Sequence, residues 1–174
     1  LVVYGEDRTA LLADIAKAIS ATAVNIRSAG MASEDHTARG VFVVEVPHLV
    51  RAIRPLADLR ALWELWRLMR QGRFDLVHTH TSKAGLLGRV AARLAGVPRL
   101  VHTAHGHVFY GYWGSCRTAF FTALERVAAR WTDRIVTLTE RGTEEHLARG
   151  IGRRAQYATV PSGVPTAALR AAAP

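Results

Sequence analysis

The chain has 174 residues, 49% of them apolar, which allows one medium domain or two small ones with a real core. Charged residues make up 21%, which excludes a chain kept disordered by charge. The single cysteine, Cys116, excludes an internal disulfide framework and suits a reducing compartment. The net charge of +9 is uneven: residues 1–50 hold four basic and six acidic side chains, residues 51–174 nineteen and eight. A basic face suits nucleic acid, anionic lipid or phosphorylated substrates. No aromatic-interleaved basic stretch or DNA-reading motif is present, so no nucleic-acid partner is expected. The chain begins inside an apolar run and reads as a fragment. It shows no signal-peptide pattern and no run near the ~20 apolar residues of a membrane span. A cytoplasmic location is expected, with the inner face of the membrane as a second place.

Leu1–Tyr4 reads as a strand, and Gly5–Arg8 as a polar turn. Thr9–Thr22 has helical spacing at Leu11, Leu12, Ile15, Ala18 and Ile19. Val24–Ala32 and Val41–Val46 read as strands around a hairpin turn at Ser33–His36. Pro47 and Pro55 then punctuate the chain. Leu56–Arg70 predicts an amphipathic helix with Leu56, Leu59, Leu62, Trp63, Trp66 and Met69 on one stripe and Arg60, Glu64 and Arg67 outside it. Such a stripe suits packing on a sheet, and less often a membrane surface. Strands and helices then alternate: strands 75–80, 99–103, 134–138 and 156–160, helices 82–94, 118–131 and 140–149. This predicts an α/β fold, a parallel sheet with helices on both faces. The residues from Ala167 on read as a tail.

Ligands of parallel α/β sheets bind beyond the carboxyl ends of the strands. Three segments fall there: His78–Gly85, His102–His107 and Pro161–Val164. The first two hold five of the eight histidines. Three readings are open. His78 with His80, and His105 with His107, could pair on a metal, yet no carboxylate lies among them, and no metal is expected. His78 and His102 could be satisfied by backbone groups. The rest could contact hydroxyls and phosphate of a substrate. Ser82, Lys83, Ala84 and Gly85 favour this last reading, because a helix start offers unpaired N–H groups and Lys83 adds charge.

The stretch 46–165 resembles the N-terminal domain of family 4 glycosyltransferases of the bacterial polysaccharide type. The resemblance rests on VPHLVRAIRPLADLRALWELWRLMR, FDLVHTHTSKAGLLGRVAARLAGVPRLVHTAHGHVFYGY, ALERVAARWTDRIVTLTE and VPSGVP. It implies half of a GT-B fold, the acceptor-side Rossmann-like half. It also implies retaining transfer of a sugar from a nucleotide donor to a saccharide or lipid-linked acceptor in cell-surface polysaccharide synthesis. By position, His105 is implied as the catalytic histidine near the donor sugar and diphosphate, with Gly106 and His107 beside it. Ser162 and Gly163 match the family's Asn-Gly-Val-Asp loop, with Ser for Asn and Pro165 for Asp. The family's first strand and glycine-rich loop, and its C-terminal donor-binding domain, have no counterpart in this sequence. A UDP- or GDP-sugar is therefore expected only with such a domain, and the chain is expected to be inactive alone.

Residues 1 to about 50 resemble something else. GEDRTALLADIAKAISATAVNIRSAGMASEDHTARGVFVVEV is similar to the ACT domains of stringent-response synthetase/hydrolases, of βαββαβ ferredoxin-like fold. That resemblance implies a partial βαββ segment over 1–48, ahead of a glycosyltransferase half over 49–166. The alternative function it implies is a regulatory small-molecule-binding or dimerisation module. A homodimer through its strand edges and a peripheral contact with anionic membrane are the partner expectations beside the acceptor.

Overall fold

Two separate sheets run through the computed structural model, which describes residues 2–6, 25–34, 37–105 and 114–163. The first sheet holds β1 (Val2–Glu6), β2 (Asn25–Glu34) and β3 (Thr37–Glu45) in the order β1-β3-β2. β3 is antiparallel to both neighbours, so β1 and β2 run the same way with β3 between them. The strands reach closer to the hairpin turn than the sequence suggests, because Ser33 and Glu34 pair with Ala38 and Thr37. The helix expected over 9–22 lies outside the described residues, as does the tail from Ala167 on.

α1 spans Pro55–Gly72. Pro55 suits the first helical position, where its missing N–H costs no hydrogen bond. The Arg54 N–H donates to Asp58 Oδ2 at 3.2 Å, and the helix ends at Arg73 in the left-handed region (φ 46°). The buried stripe differs from the predicted one. Ala61, Glu64, Leu68 and Met69 are buried, and Leu62, Leu65 and Trp66 pack beside them. Leu56, Leu59 and Trp63 face outward. The helix turns this way because it packs on α2. Glu64, predicted outside the stripe, is buried because His48 Nδ1 meets its Oε1 at 2.5 Å.

The second sheet is parallel, in the order β4-β5-β6-β7. Its strands are β4 (Leu76–His80), β5 (Arg99–Ala104), β6 (Arg134–Thr137) and β7 (Tyr157–Thr159). They are joined by α2 (Ser82–Ala95), α3 (Ser115–Ala129) and α4 (Glu140–Ala148). Gly96 ends α2 in the left-handed region (φ 80°), its N–H returning to the last carbonyls. The Thr139 hydroxyl caps α4 by accepting the Gly142 N–H at 3.0 Å.

A strand order that runs in one direction with right-handed crossovers stacks α2, α3 and α4 on one face. Contacts of α1 with α2 and of α2 with α3 continue that layer. The described helices that join these strands thus lie on one face, while the helix expected over 9–22 falls outside the described residues. The main core lies between them and the sheet, with Met69, Ala91, Ala92, Ala95 and Leu100 buried together. Burying one side chain of leucine size is worth about 1.5–3 kcal/mol. A smaller core joins Ala129, Ile135 and Ile151, with Tyr157 against it.

Candidate functional site

The two-residue period of β4 divides its side chains between the faces. Thr79 points into the helix layer and is buried, whereas His78 and His80 share the opposite face and are exposed. Their rings lie 4.3 Å apart, tilted by 34°. Parallel pairing sets His78 against Val101 and His80 against Thr103 on β5. His78 Nε2 meets Thr103 Oγ1 at 2.7 Å. Two residues beyond Thr103, just past the end of β5, His105 places its Nε2 2.9 Å from His80 Nδ1. Three of the predicted histidines thus converge at the carboxyl end of the sheet.

Partial burial lowers the pKa of His78, and the neighbouring His80 and His105 lower it further. His80 is lowered by partial burial and then by His105. Both rings therefore favour the neutral form, which can accept as well as donate a hydrogen bond. Among the described residues, no group of three or more histidine, cysteine or acidic side chains is arranged to hold a metal.

His102 is different. It points into the helix layer and is buried, with Nδ1 3.0 Å from Thr79 Oγ1. Burial, and then the charge of Arg89, lowers its pKa to about 3. It is satisfied by a side-chain hydroxyl rather than by the backbone groups anticipated from sequence. His78 likewise finds Thr103 rather than a backbone partner.

α2 begins immediately after this cluster. Thr81 precedes it with φ 64° and ψ 173°, and its side chain makes no capping bond. No side chain of the preceding residue thus covers the amides of Ser82, Lys83 and Ala84, which lie in the first turn. Gly85 is buried against His102: a Cβ there would sit 2.4 Å from the ring Cε1. Lys83 turns the other way. Its ammonium meets the carboxylate of Asp58 and the carbonyls of Val50 at 2.8 Å and Ala52 at 2.5 Å. Two carbonyls accept its protons and the carboxylate pairs with its charge, so Lys83 ties the 50–58 segment to α2. This tertiary role carried no signal in the local sequence.

Ser162 and Gly163 follow β7 and are exposed. β7 lies two strands from β5, about 10 Å across the sheet, at the same carboxyl end. Gly106 and His107 lie outside the described residues, as do Val164 and Pro165. Sequence reasoning did not single out Thr79, Thr103 or Arg89. Arg89 is fully buried and donates to Gly85 O at 3.1 Å and to both oxygens of Glu125, at 2.7 and 2.9 Å. It holds the start of α2 from below.

Comparison with known proteins bears on this arrangement. The chain is 37% identical over 130 residues to a UDP-Gal:alpha-D-GlcNAc-diphosphoundecaprenol alpha-1,3-galactosyltransferase of Escherichia coli. The alignment covers 75% of this chain and 33% of that protein, so the chain spans a third of its relative's length. A sucrose-phosphate synthase structure from Thermosynechococcus elongatus superposes with a TM-score of 0.53 at 14% identity, over 92% of this chain and 89% of that one. That likeness shows a shared fold. The profile of the Glycosyl transferase 4-like domain matches residues 10–163. The match begins well before residue 46 and takes in most of the first 48 residues, for which an ACT-type segment is expected from sequence and no comparison gives one. With most of its length inside that profile, the chain belongs to the glycosyl transferase 4-like domain family.

Proposed function

We propose that this chain is the acceptor-side half of a retaining glycosyltransferase that extends a saccharide or lipid-linked acceptor from a nucleotide-sugar. The observation that carries the reading is the His80–His105 pair beside the uncapped first turn of α2. In this reading His105 is the catalytic residue. A hydrogen bond from its ring stabilises the charge that develops on the leaving diphosphate. The amides of Ser82, Lys83 and Ala84 face the anionic part of a ligand, as helix starts do, and Gly85, whose own N–H returns to Thr81 O at 3.1 Å, closes the turn behind them. Gly106, His107, Ser162 and Gly163 complete the rim. The Escherichia coli relative acts, by its name, on a diphosphoundecaprenol-linked GlcNAc. That supports a lipid-diphosphate saccharide as the acceptor class.

The sugar nucleotide is held in this proposal by a second, donor-binding unit, and the chain alone does not turn over UDP- or GDP-sugars. Calorimetry tests both halves of the claim. A GlcNAc-diphosphate lipid analogue is expected to bind, and UDP-galactose to give no heat. No acceptor binding by the unaltered chain would sink the reading. With a donor-binding domain supplied, His105→Ala is expected to slow transfer about 10²-fold or more.

A second reading concerns residues 1–48, taken as a regulatory or dimerisation unit of ACT type. The β1-β3-β2 order favours it, since two parallel strands with a third between them form the split βαβ arrangement. The strands of this sheet do not pair with those of the second sheet. Against it stands the family match, which includes residues 10–45. Light scattering and calorimetry with an amino-acid panel decide: a monomer that binds none of them removes this reading.

A further inference from the structure

The outward face of α1 has no partner among the described residues, and its composition points to one. At 3.6 residues per turn, Leu56, Leu59, Arg60, Trp63, Arg67 and Arg70 fall within roughly 100° of arc. The buried stripe of Ala61, Leu65, Leu68 and Met69 lies on the opposite side. Leu56 is 79% exposed, Leu59 63% and Trp63 47%, and Ile53 just ahead of the helix is 57% exposed. The Arg67 guanidinium sits 5.3 Å over the Trp63 ring.

The charge on this face is one-sided for a structural reason. The two carboxylates of the helix are both used inside the protein. Asp58 holds Lys83, and Glu64 is buried against His48. Arg51, Arg54 and Arg60 are exposed, so the segment from 50 to 70 presents apolar side chains and arginines outward with no acid between them. A soluble partner helix would need matching carboxylates on a narrow stripe. A broad anionic plane needs only charge of the opposite sign and an apolar layer beneath it. Leucine and tryptophan seat at the headgroup boundary while arginines reach lipid phosphates.

We propose that this face of α1, with Ile53, lies on the surface of an anionic bilayer. It rests in the interface without crossing: among the described residues no helix is long and apolar enough to span a membrane. Of the two tryptophans of the helix, Trp63 makes the contact, because Trp66 packs toward the core. The proposal stands apart from the transfer reaction and needs no acceptor or donor.

The test is co-sedimentation of the purified chain with phosphatidylcholine vesicles, with and without phosphatidylglycerol. Binding is expected only with phosphatidylglycerol, falling as salt rises. Arg60→Gln with Arg67→Gln is expected to weaken binding on the order of tenfold. Leu59→Ser with Trp63→Ser is expected to abolish it while leaving the melting temperature unchanged, because neither side chain supports the core. Equal binding by these variants, binding to neutral vesicles alone, or no binding would each overturn the proposal. So would a dimer of the chain that the Leu59→Ser/Trp63→Ser variant disrupts, which would assign the face to a second copy.

Discussion

His80 Nδ1 and His105 Nε2 lie 2.9 Å apart, joining the last residue of β4 to the first residue beyond β5. Only one proton can sit between two such nitrogens, so each ring fixes the tautomer of the other.

That relationship predicts a titration. His80 protonates below the ordinary imidazole range, first through partial burial and then through His105. Removing a positive neighbour raises the pKa of a base. His105→Ala is therefore expected to move the His80 titration upward, toward the model-peptide value of about 6.5. Nitrogen-detected NMR of the ring reads it directly. A His80 midpoint unmoved by the substitution would deny electrostatic contact between the two rings.

Thr81 occupies φ 64°, ψ 173°, a region almost reserved for glycine, between the histidines and the first turn of α2. Holding a threonine there costs about 1–3 kcal/mol. Thr81→Gly is expected to raise stability by about 1 kcal/mol, after the flexibility of glycine in the unfolded chain is deducted. Denaturant unfolding measures it. A loss of stability would mean that the threonine side chain contributes more than the backbone strain removes.

Gly85 has the opposite character. An added Cβ would meet His102 Cε1 at 2.4 Å and Nδ1 at 2.9 Å, and that ring is buried and held by Thr79. Gly85→Ala is expected to cost about 1–3 kcal/mol by overpacking. Gly163→Ala, with nothing within 4 Å of its Cβ, is the control and should leave the unfolding midpoint in place. Two equal midpoints would show that the His102 ring gives way freely.

These residues also show what the sequence could and could not convey. The β4–β7 alternation was legible because apolar strand runs are separated by explicit stops such as Gly96-Val97-Pro98. The pairing of His78 and His80 on one face follows from the two-residue period alone. The burial of α1 was half legible: Leu62, Trp66 and Met69 of the predicted stripe pack inward, whereas Leu56, Leu59 and Trp63 face out and Ala61 and Leu68 take their place. Partners distant in sequence were invisible for a different reason. Lys83 with Asp58, His48 with Glu64 and Arg89 with Glu125 depend on how helices meet, which no local spacing encodes.

The Arg89–Glu125 pair is the most consequential of these. The arginine side chain is fully buried, and its Nη1 has no hydrogen-bond partner among the described residues. Taking away the carboxylate would leave a buried charge uncompensated, which typically costs 3–5 kcal/mol, so Glu125→Ala is expected to destabilise by about that much. Replacing both residues, Arg89→Met with Glu125→Leu, is expected to recover most of the loss, because an apolar pair of similar volume needs no counter-charge. Similar stabilities for the single and double variants would deny that the ion pair is the source of the effect.

His102 makes the fold sensitive to acid. Its pKa is lowered to about 3, by burial first and by the Arg89 charge second. In the unfolded chain the same ring titrates near about 6.5. Between those values the unfolded state binds the extra proton and the native state does not. Stability is therefore full above the unfolded value and is lost as the pH falls toward 3, by at most about 1.4 kcal/mol per unit. Below about 3 both states are protonated and this contribution levels off. His102→Gln removes the titration, so the pH dependence of its unfolding free energy is expected to be shallower across this window. Parallel curves for the two proteins would place the acid sensitivity elsewhere, with the lowered imidazoles of His78 and His80 as the next candidates.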